Sequence, residues 1–226
     1  MRLRAEYRVG PDLKFLANLD MMHLMERTLR RAKIPCLLSE GFNPHIRLSM
    51  GTVLPVGLWG EKEYFDLELN PMPVQEFVNA MNKTLPPGMH ISLCRELASG
   101  EDSLMKIINA ADYAFQIKAK GLDLEKLAAD IMGQEQIVVQ SRGKKKNLQK
   151  DLRPGIYAMN VEKSGAAEVL SVRVSVNEPV NIRFDELLDV FARNGIDRNI
   201  MLDFWRQGNY IKQGDNFYPP MQGAMK

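Results

Sequence analysis

Residues 3–9, Leu3-Arg4-Ala5-Glu6-Tyr7-Arg8-Val9, place an apolar side chain at every second position. That is the period of a β-strand, whose successive side chains point to opposite faces of a sheet. Residues 20–32 then change period. At about 100° per residue Met22, Met25, Leu29 and Ala32 share one helical face, and His23, Arg27, Arg30 and Arg31 share the opposite one. Strand-like Ile34-Pro35-Cys36-Leu37-Leu38, a turn cluster Gly41-Phe42-Asn43-Pro44 and a strand over residues 63–69 come next. Pro73 opens a second helix with Val74, Phe77, Val78 and Met81 on one face, Pro86-Pro87-Gly88 closes it, and residues 89–96 read as a last strand. The order is βαββαβ.

The polar run Ser99-Gly100-Glu101-Asp102 marks a linker between a domain over residues 1–98 and a second over residues 110–226. In the second, residues 113–118 alternate as a strand, Leu124, Leu127, Ala128 and Ile131 stand at helical spacing, and residues 136–140 are rich in β-branched side chains. After a basic insertion, a strand is expected over residues 169–176 and a helix over 184–191 opened by Asp185 and Glu186. The fold class is therefore α+β, two ferredoxin-like (split βαβ) units with antiparallel sheets. The stretch around residues 201–205 reads as strand or helix, and the tail with Tyr218-Pro219-Pro220 is expected to be mobile.

Composition sets chemical limits. With 226 residues, 45% hydrophobic and 26% charged, the chain has enough apolar content to fold as two small domains. No stretch approaches the roughly 18 apolar residues of a membrane helix and the start lacks a signal-peptide pattern, so no membrane and a cytoplasmic location are expected. Two cysteines and three histidines fall short of the roughly four thiolates of an iron-sulfur cluster and of a closed zinc site at short spacing. No cofactor and no metal are expected. A net charge of +2 leaves any argument about nucleic acid to the placement of positive residues.

Three features bear on function. On the helix over 20–32, His23, Arg27, Arg30 and Arg31 form either a solvated face or a phosphate-binding stripe, to which the planar guanidinium fork is suited. The turn Ser39-Glu40-Gly41-Phe42-Asn43-Pro44-His45 presents an aromatic ring, an amide and an imidazole, either as a well-made loop or as a reader of a base or small polar ligand. Arg142, Lys144, Lys145, Lys146, Lys150 and Arg153 gather against one acid, Asp151, as a solvated loop or as a tracker of a phosphate backbone. His23, His45 and His90 show no spacing that matches a nucleophile, base and orienting acid, and Gly51, Gly57 and Gly60 do not form a phosphate loop.

The segments Leu13-Lys14-Phe15-Leu16, Asn18-Leu19-Asp20, Arg27-Thr28-Leu29-Arg30-Arg31-Ala32, Ile34-Pro35, Ser39 to His45 and Leu54-Pro55-Val56-Gly57 together resemble the bacterial radical-SAM-linked domain family of unknown function. The resemblance is dense over residues 3–69, with Asp151-Leu152-Arg153-Pro154 similar to a second signature of that family, followed by an expected short helix around residues 156–159. It implies a partner, a radical-SAM protein that supplies the iron-sulfur cluster. This chain departs from the family pattern where Ala17-Asn18 stand for Ser-His, His23 for Arg, Ile46 for a second proline and Arg47 for Lys, so charge at 47 survives.

The expectation is a non-catalytic accessory of a radical-SAM system that binds RNA, either tRNA or rRNA. Arg27, Arg30, Arg31, Arg47, Arg142, Lys144, Lys145, Lys146 and Arg153 would meet phosphates, with His23 on the same stripe, while Phe42, Asn43 and His45 would read the ligand. A small-ligand or protein-docking module for the radical-SAM partner is the alternative, and an RNA endonuclease, by analogy with two-ferredoxin CRISPR nucleases, stands third.

Overall fold

The computed structural model describes residues 1–118, 121–142, 148–165 and 167–222. Contacts divide the chain into two units: Met1–Ile108 together with the stretch from Gly208 onward, and the intervening Asn109–Gln207.

In the first unit the order along the chain is β1 (Arg2–Val9), α1 (Asn18–Arg31), β2 (Leu48–Met50), β3 (Trp59–Glu68), α2 (Val74–Thr84), β4 (Met89–Glu96) and the single-turn α3 (Leu104–Ile107). The strands lie in the order β4-β1-β3, with β2 on the far side of β3, and each of these pairings is antiparallel. Alternation in β1 decides what packs where. Leu3, Ala5, Tyr7 and Val9 share a core with Phe65 and Leu67 of β3, Met25 and Leu29 of α1, and Phe77 and Met81 of α2. Met22 and Ala32, expected on the packed face of α1, are only half-buried, and Met21 and Thr28 are buried in their stead. Thr28 can be buried because its hydroxyl donates to the Leu24 carbonyl at 2.8 Å. Asp20 accepts from the Ala17 N–H at 3.2 Å at the start of the helix.

The other face of this sheet is charged yet buried. Arg4, directly opposite Asp66 in the β1–β3 register, is 0% exposed. Its Nε donates to Asp66 Oδ1 at 2.8 Å and its Nη2 to Oδ2 at 3.0 Å. Nη2 also reaches the Asp102 carbonyl at 2.9 Å and Nη1 the Pro220 carbonyl at 3.2 Å. Arg2 adds a bond from Nη2 to Asp66 Oδ2 at 2.6 Å and one from Nη1 to the Glu101 carbonyl at 2.8 Å. Next along the same face, Glu6 accepts from the Tyr64 hydroxyl at 2.7 Å and from the Ser92 hydroxyl at 2.8 Å.

These bonds change two expectations. The linker packs on the first unit, with Leu97, Leu104 and Ile108 buried, so that unit runs to residue 108. The C-terminal stretch is folded onto it as well, at least to residue 222. Within this unit Pro220 is buried, and Asn209 accepts from the Thr52 hydroxyl at 2.6 Å and donates to the Lys62 carbonyl at 3.3 Å.

The second unit contains β5 (Ala110–Ile117), α4 (Leu124–Met132), a hairpin of β6 (Val138–Gln140) and β7 (Gln149–Asp151), β8 (Ile156–Ser164), β9 (Ala167–Ser175), α5 (Phe184–Arg193) and the first part of β10 (Met201–Gln213). β10 ends in the first unit, where it pairs with β11 (Asn216–Tyr218). The strand order is β10-β5-β9-β8, and β5/β9 and β8/β9 are antiparallel. Its core carries an aromatic group in which Phe115 stacks on Phe184 at 5.5 Å and meets Phe191 edge-on at 4.8 Å. Residues 156–159, expected as a short helix, begin β8 instead. The helical turn lies just before them, at Arg153–Gly155, where Gly155 fits because a Cβ there would lie 2.5 Å from Val180.

Replacing Arg4 with Ala removes the bidentate partner of the buried Asp66 carboxylate, and a loss of about 3–5 kcal/mol is expected in urea unfolding. A second measurement addresses pH. Paired hydrogen bonds from Arg95, at 2.9 and 2.7 Å, hold the Glu101 carboxyl down at about 2 against an ordinary 4.5. A depressed native value stabilises the folded form above the unfolded value and ceases to do so as pH falls through the native one. The difference in urea midpoint between the native chain and Glu101→Gln should be full above about pH 4.5 and close towards pH 2.

Candidate nucleic-acid interface

Helix α1 buries one side and offers the other. His23, Arg27, Arg30 and Arg31 are all exposed. Arg30 has a long contact of 3.9 Å with Glu26, whereas Arg27, Arg31 and His23 have no side-chain partner among the described residues. At about 1.5 Å rise per residue, Arg27 and Arg31 stand roughly 6 Å apart along the axis.

The loop over 39–45 closes on itself. The Ser39 N–H donates to the His45 carbonyl at 2.8 Å, the His45 N–H donates to the Ser39 hydroxyl at 3.0 Å, and Leu38 bridges Ile46 below them. Gly41, at φ +124°, turns the chain where a Cβ would be strained. The Phe42 ring is fully exposed, and the side chains of Phe42, Asn43 and His45 meet no partner among the described residues. The loop follows α1 along the chain, after residues 32–38.

Other basic residues are engaged. Arg47 pairs with Glu68 at 3.0 Å and donates to the Leu38 carbonyl at 3.2 Å. Arg142 forks onto Asp189 with bonds of 2.9 to 3.1 Å, which raises its already high pKa. Lys150 meets the fully buried Glu186 at 2.7 Å, and Glu186 also accepts from the backbone N–H groups of Arg142 at 3.1 Å and Arg183 at 2.9 Å. Arg153 donates to the carbonyls of Gln134 at 3.2 Å and Ile156 at 3.1 Å. The neighbouring Asp151 carboxylate accepts from the N–H groups of Ile137 and Arg153, and Leu152 is 0% exposed. Asp151-Leu152-Arg153-Pro154 is a folding knot. Lys144, Lys145 and Lys146 lie outside the described residues.

Two sequence-distant segments meet elsewhere in the first unit. Residues of Leu13-Lys14-Phe15-Leu16 and of Leu54-Pro55-Val56-Gly57-Leu58 line a small cavity with Tyr7, Thr52 and Glu63, and the Gly57 N–H donates to the Lys14 carbonyl at 2.6 Å. Phe15, Leu19, Val53 and Val56 remain exposed. Among the described residues no three His, Cys, Asp or Glu side chains gather as a metal site, and His23, His45 and His90 are exposed and unpaired with an acid. Among the described residues no helix is long and apolar enough to cross a membrane.

The sequence reading did not bring Lys33 and Lys83 together with Arg31. Both line an open basin with Arg31, Ala32, Ala80 and Thr84. The signal was the topology: two βαβ halves bring α1 and α2 onto one core, so the last turns of both helices had to be compared together.

What the fold and this surface define is an α+β protein of largely antiparallel sheet with a row of exposed cations on one helix. It belongs to the bacterial family described as "uncharacterized protein conserved in bacteria (DUF2344)", whose model matches residues 2–183. No curated protein matches the chain. Among solved structures it is similar to a chain of one described as the crystal structure of a Cbf5-Nop10-Gar1 complex, at 12% identity and a TM-score of 0.50, over 92% of this chain and 48% of that one. The chain thus spans about half the length of that neighbour, and the likeness is one of fold.

Burial pushes the Cys36 thiol up to about 11, with backbone hydrogen bonding and Arg30 pulling the other way, and the Cys94 thiol up to about 12. Since the thiolate is the nucleophile, iodoacetamide at pH 8 should alkylate both much more slowly in the folded chain than in urea, by roughly tenfold or more.

Proposed function

We propose that this chain is a non-catalytic RNA-binding accessory of a radical-SAM system, composed of two ferredoxin-like units. The observation that carries the RNA reading is the outward row of Arg27 and Arg31 on α1 without an acidic partner among the described residues; the loop that follows α1 in the chain adds a fully exposed Phe42 ring. A guanidinium meets phosphate through parallel hydrogen bonds, and an exposed ring beside an amide and an imidazole suits an unstacked base, as single-stranded RNA provides. The radical-SAM partner rests on the sequence resemblance alone. In this reading Arg30 and His23 belong to the stripe, while Arg47, Arg142 and Arg153 serve the fold.

A second reading, a docking module for the radical-SAM protein, is favoured by the exposed apolar residues Phe15, Leu19, Val53 and Val56 of the first unit. The two differ in salt dependence, because phosphate contacts release counterions and apolar contacts do not.

Fluorescence anisotropy with labelled tRNA and ribosomal RNA fragments at about 50 to 200 mM salt separates them. Arg27→Ala with Arg30→Ala should weaken RNA binding roughly tenfold or more and flatten the salt slope by about 1.5, as expected for two lost phosphate contacts. An unchanged slope would make the stripe a solvated face, and absence of binding at low salt would leave the docking reading.

A further inference from the structure

The C-terminus of α1 is built in an unusual way. The Ile34 N–H donates to the Leu29 carbonyl and the Lys33 N–H to the Arg30 carbonyl, both at 3.1 Å. This is the Schellman arrangement, whose left-handed residue is usually glycine. Here it is Lys33, at φ +56°, and among the described residues every other positive-φ position is a glycine. A side chain in that conformation is strained, and such strain tends to persist where the side chain is used.

The Lys33 side chain lines the open basin between the last turns of α1 and α2. Arg31 and Lys83 line it too, no acidic side chain does, and Ala32 and Ala80 leave room in it. The Thr84 hydroxyl is turned back onto the Ala80 carbonyl at 2.8 Å. Arg31, Lys33 and Lys83 have no side-chain partner among the described residues. Helix polarity accounts for Arg31 and Lys83, because cations are favoured in a last turn. It does not account for Lys33, since glycine would end the helix with less strain. Three like charges around one basin repel one another until an anion enters.

We propose that Arg31, Lys33 and Lys83 form a phosphate-binding basin that carries the α1 stripe across to α2 and takes a further phosphate of the same RNA strand. The inference rests on the RNA reading above. A strand suits the site better than a free phosphate: the basin is wide open, and it continues directly from Arg27 and Arg30 through Arg31.

The test uses the full chain, fluorescein-labelled bulk tRNA as probe, anisotropy between about 50 and 200 mM salt, and thermal unfolding of each variant. Lys33→Gly should raise the unfolding midpoint while lowering RNA affinity severalfold and flattening the salt slope by about 0.7 to 0.9. Lys33→Arg should keep the affinity, and Lys83→Ala should lower it as Lys33→Gly does. If Lys33→Gly and Lys83→Ala both bind tRNA as the native chain does while Arg27→Ala with Arg30→Ala weakens binding, the basin is overturned and the stripe stands. Failure of the native chain to bind tRNA at the lowest salt overturns both. Equal competition by millimolar inorganic phosphate and by the same concentration of unlabelled tRNA phosphate would also overturn the assignment to a strand.

Discussion

The bidentate pair between Arg4 and Asp66 governs the first unit. A guanidinium fully removed from water costs several kcal/mol unless its donors are met. Asp66 supplies two acceptors, and the carbonyls of Asp102 and Pro220 supply two more. The pair therefore dictates more than the β1–β3 contact. It requires the segment after β4 to return across the sheet and the C-terminal stretch to close over the same face. It also fixes register, because a slip of one residue between β1 and β3 would turn Arg4 away from Asp66 and move a charged face into the helical core. Apolar residues of similar volume would stabilise such a site as well or better; what the ion pair adds is a demand that four distant segments meet in one way.

The second unit repeats the device with different residues. The fully buried Glu186 gathers Lys150 and two backbone N–H groups, and Asp151 with Arg153 ties the hairpin to the start of β8. Arginines in this chain thus fall into two physical groups. Arg4, Arg47, Arg142, Arg153 and Arg173, the last forked onto Asp112 at 2.7 and 2.6 Å, have acceptors within the protein. Arg27 and Arg31 have none among the described residues. These two have charge to offer a partner without first breaking a bond.

That division explains how far the sequence could be read. Periodicity located β1, α1, α2, β4, α4 and α5 because each buries one regular face. Phe77 and Met81, or Leu124, Ala128 and Ile131, repeat as a helix must. It did not locate β8, where the Pro154 turn precedes the strand, or the tail, whose anchor is a carbonyl at Pro220 and leaves no pattern in side chains. The charged face of β1 is buried as well, because it is met by residues about 60 and 100 positions away, partners that alternation does not disclose. At the surface, the helical stripe and the projecting loop were legible from local sequence. That Arg142 and Arg153 are spoken for was not, since Asp189 and the carbonyls of Gln134 and Ile156 are partners of tertiary structure.

Lys33 shows how a local rule and a surface property can oppose each other. The end of α1 satisfies its carbonyls through the two Schellman bonds, and the backbone geometry they impose is one in which glycine has the least strain. Lysine in the same place keeps the bonds and bears the strain, while adding a positive charge where Arg31 and Lys83 already crowd. Neither helix capping nor core packing benefits, for the side chain is exposed and touches no acid among the described residues. An anion in the open basin between α1 and α2 would relieve the electrostatic part of that opposition, which is why the proposed phosphate is placed there.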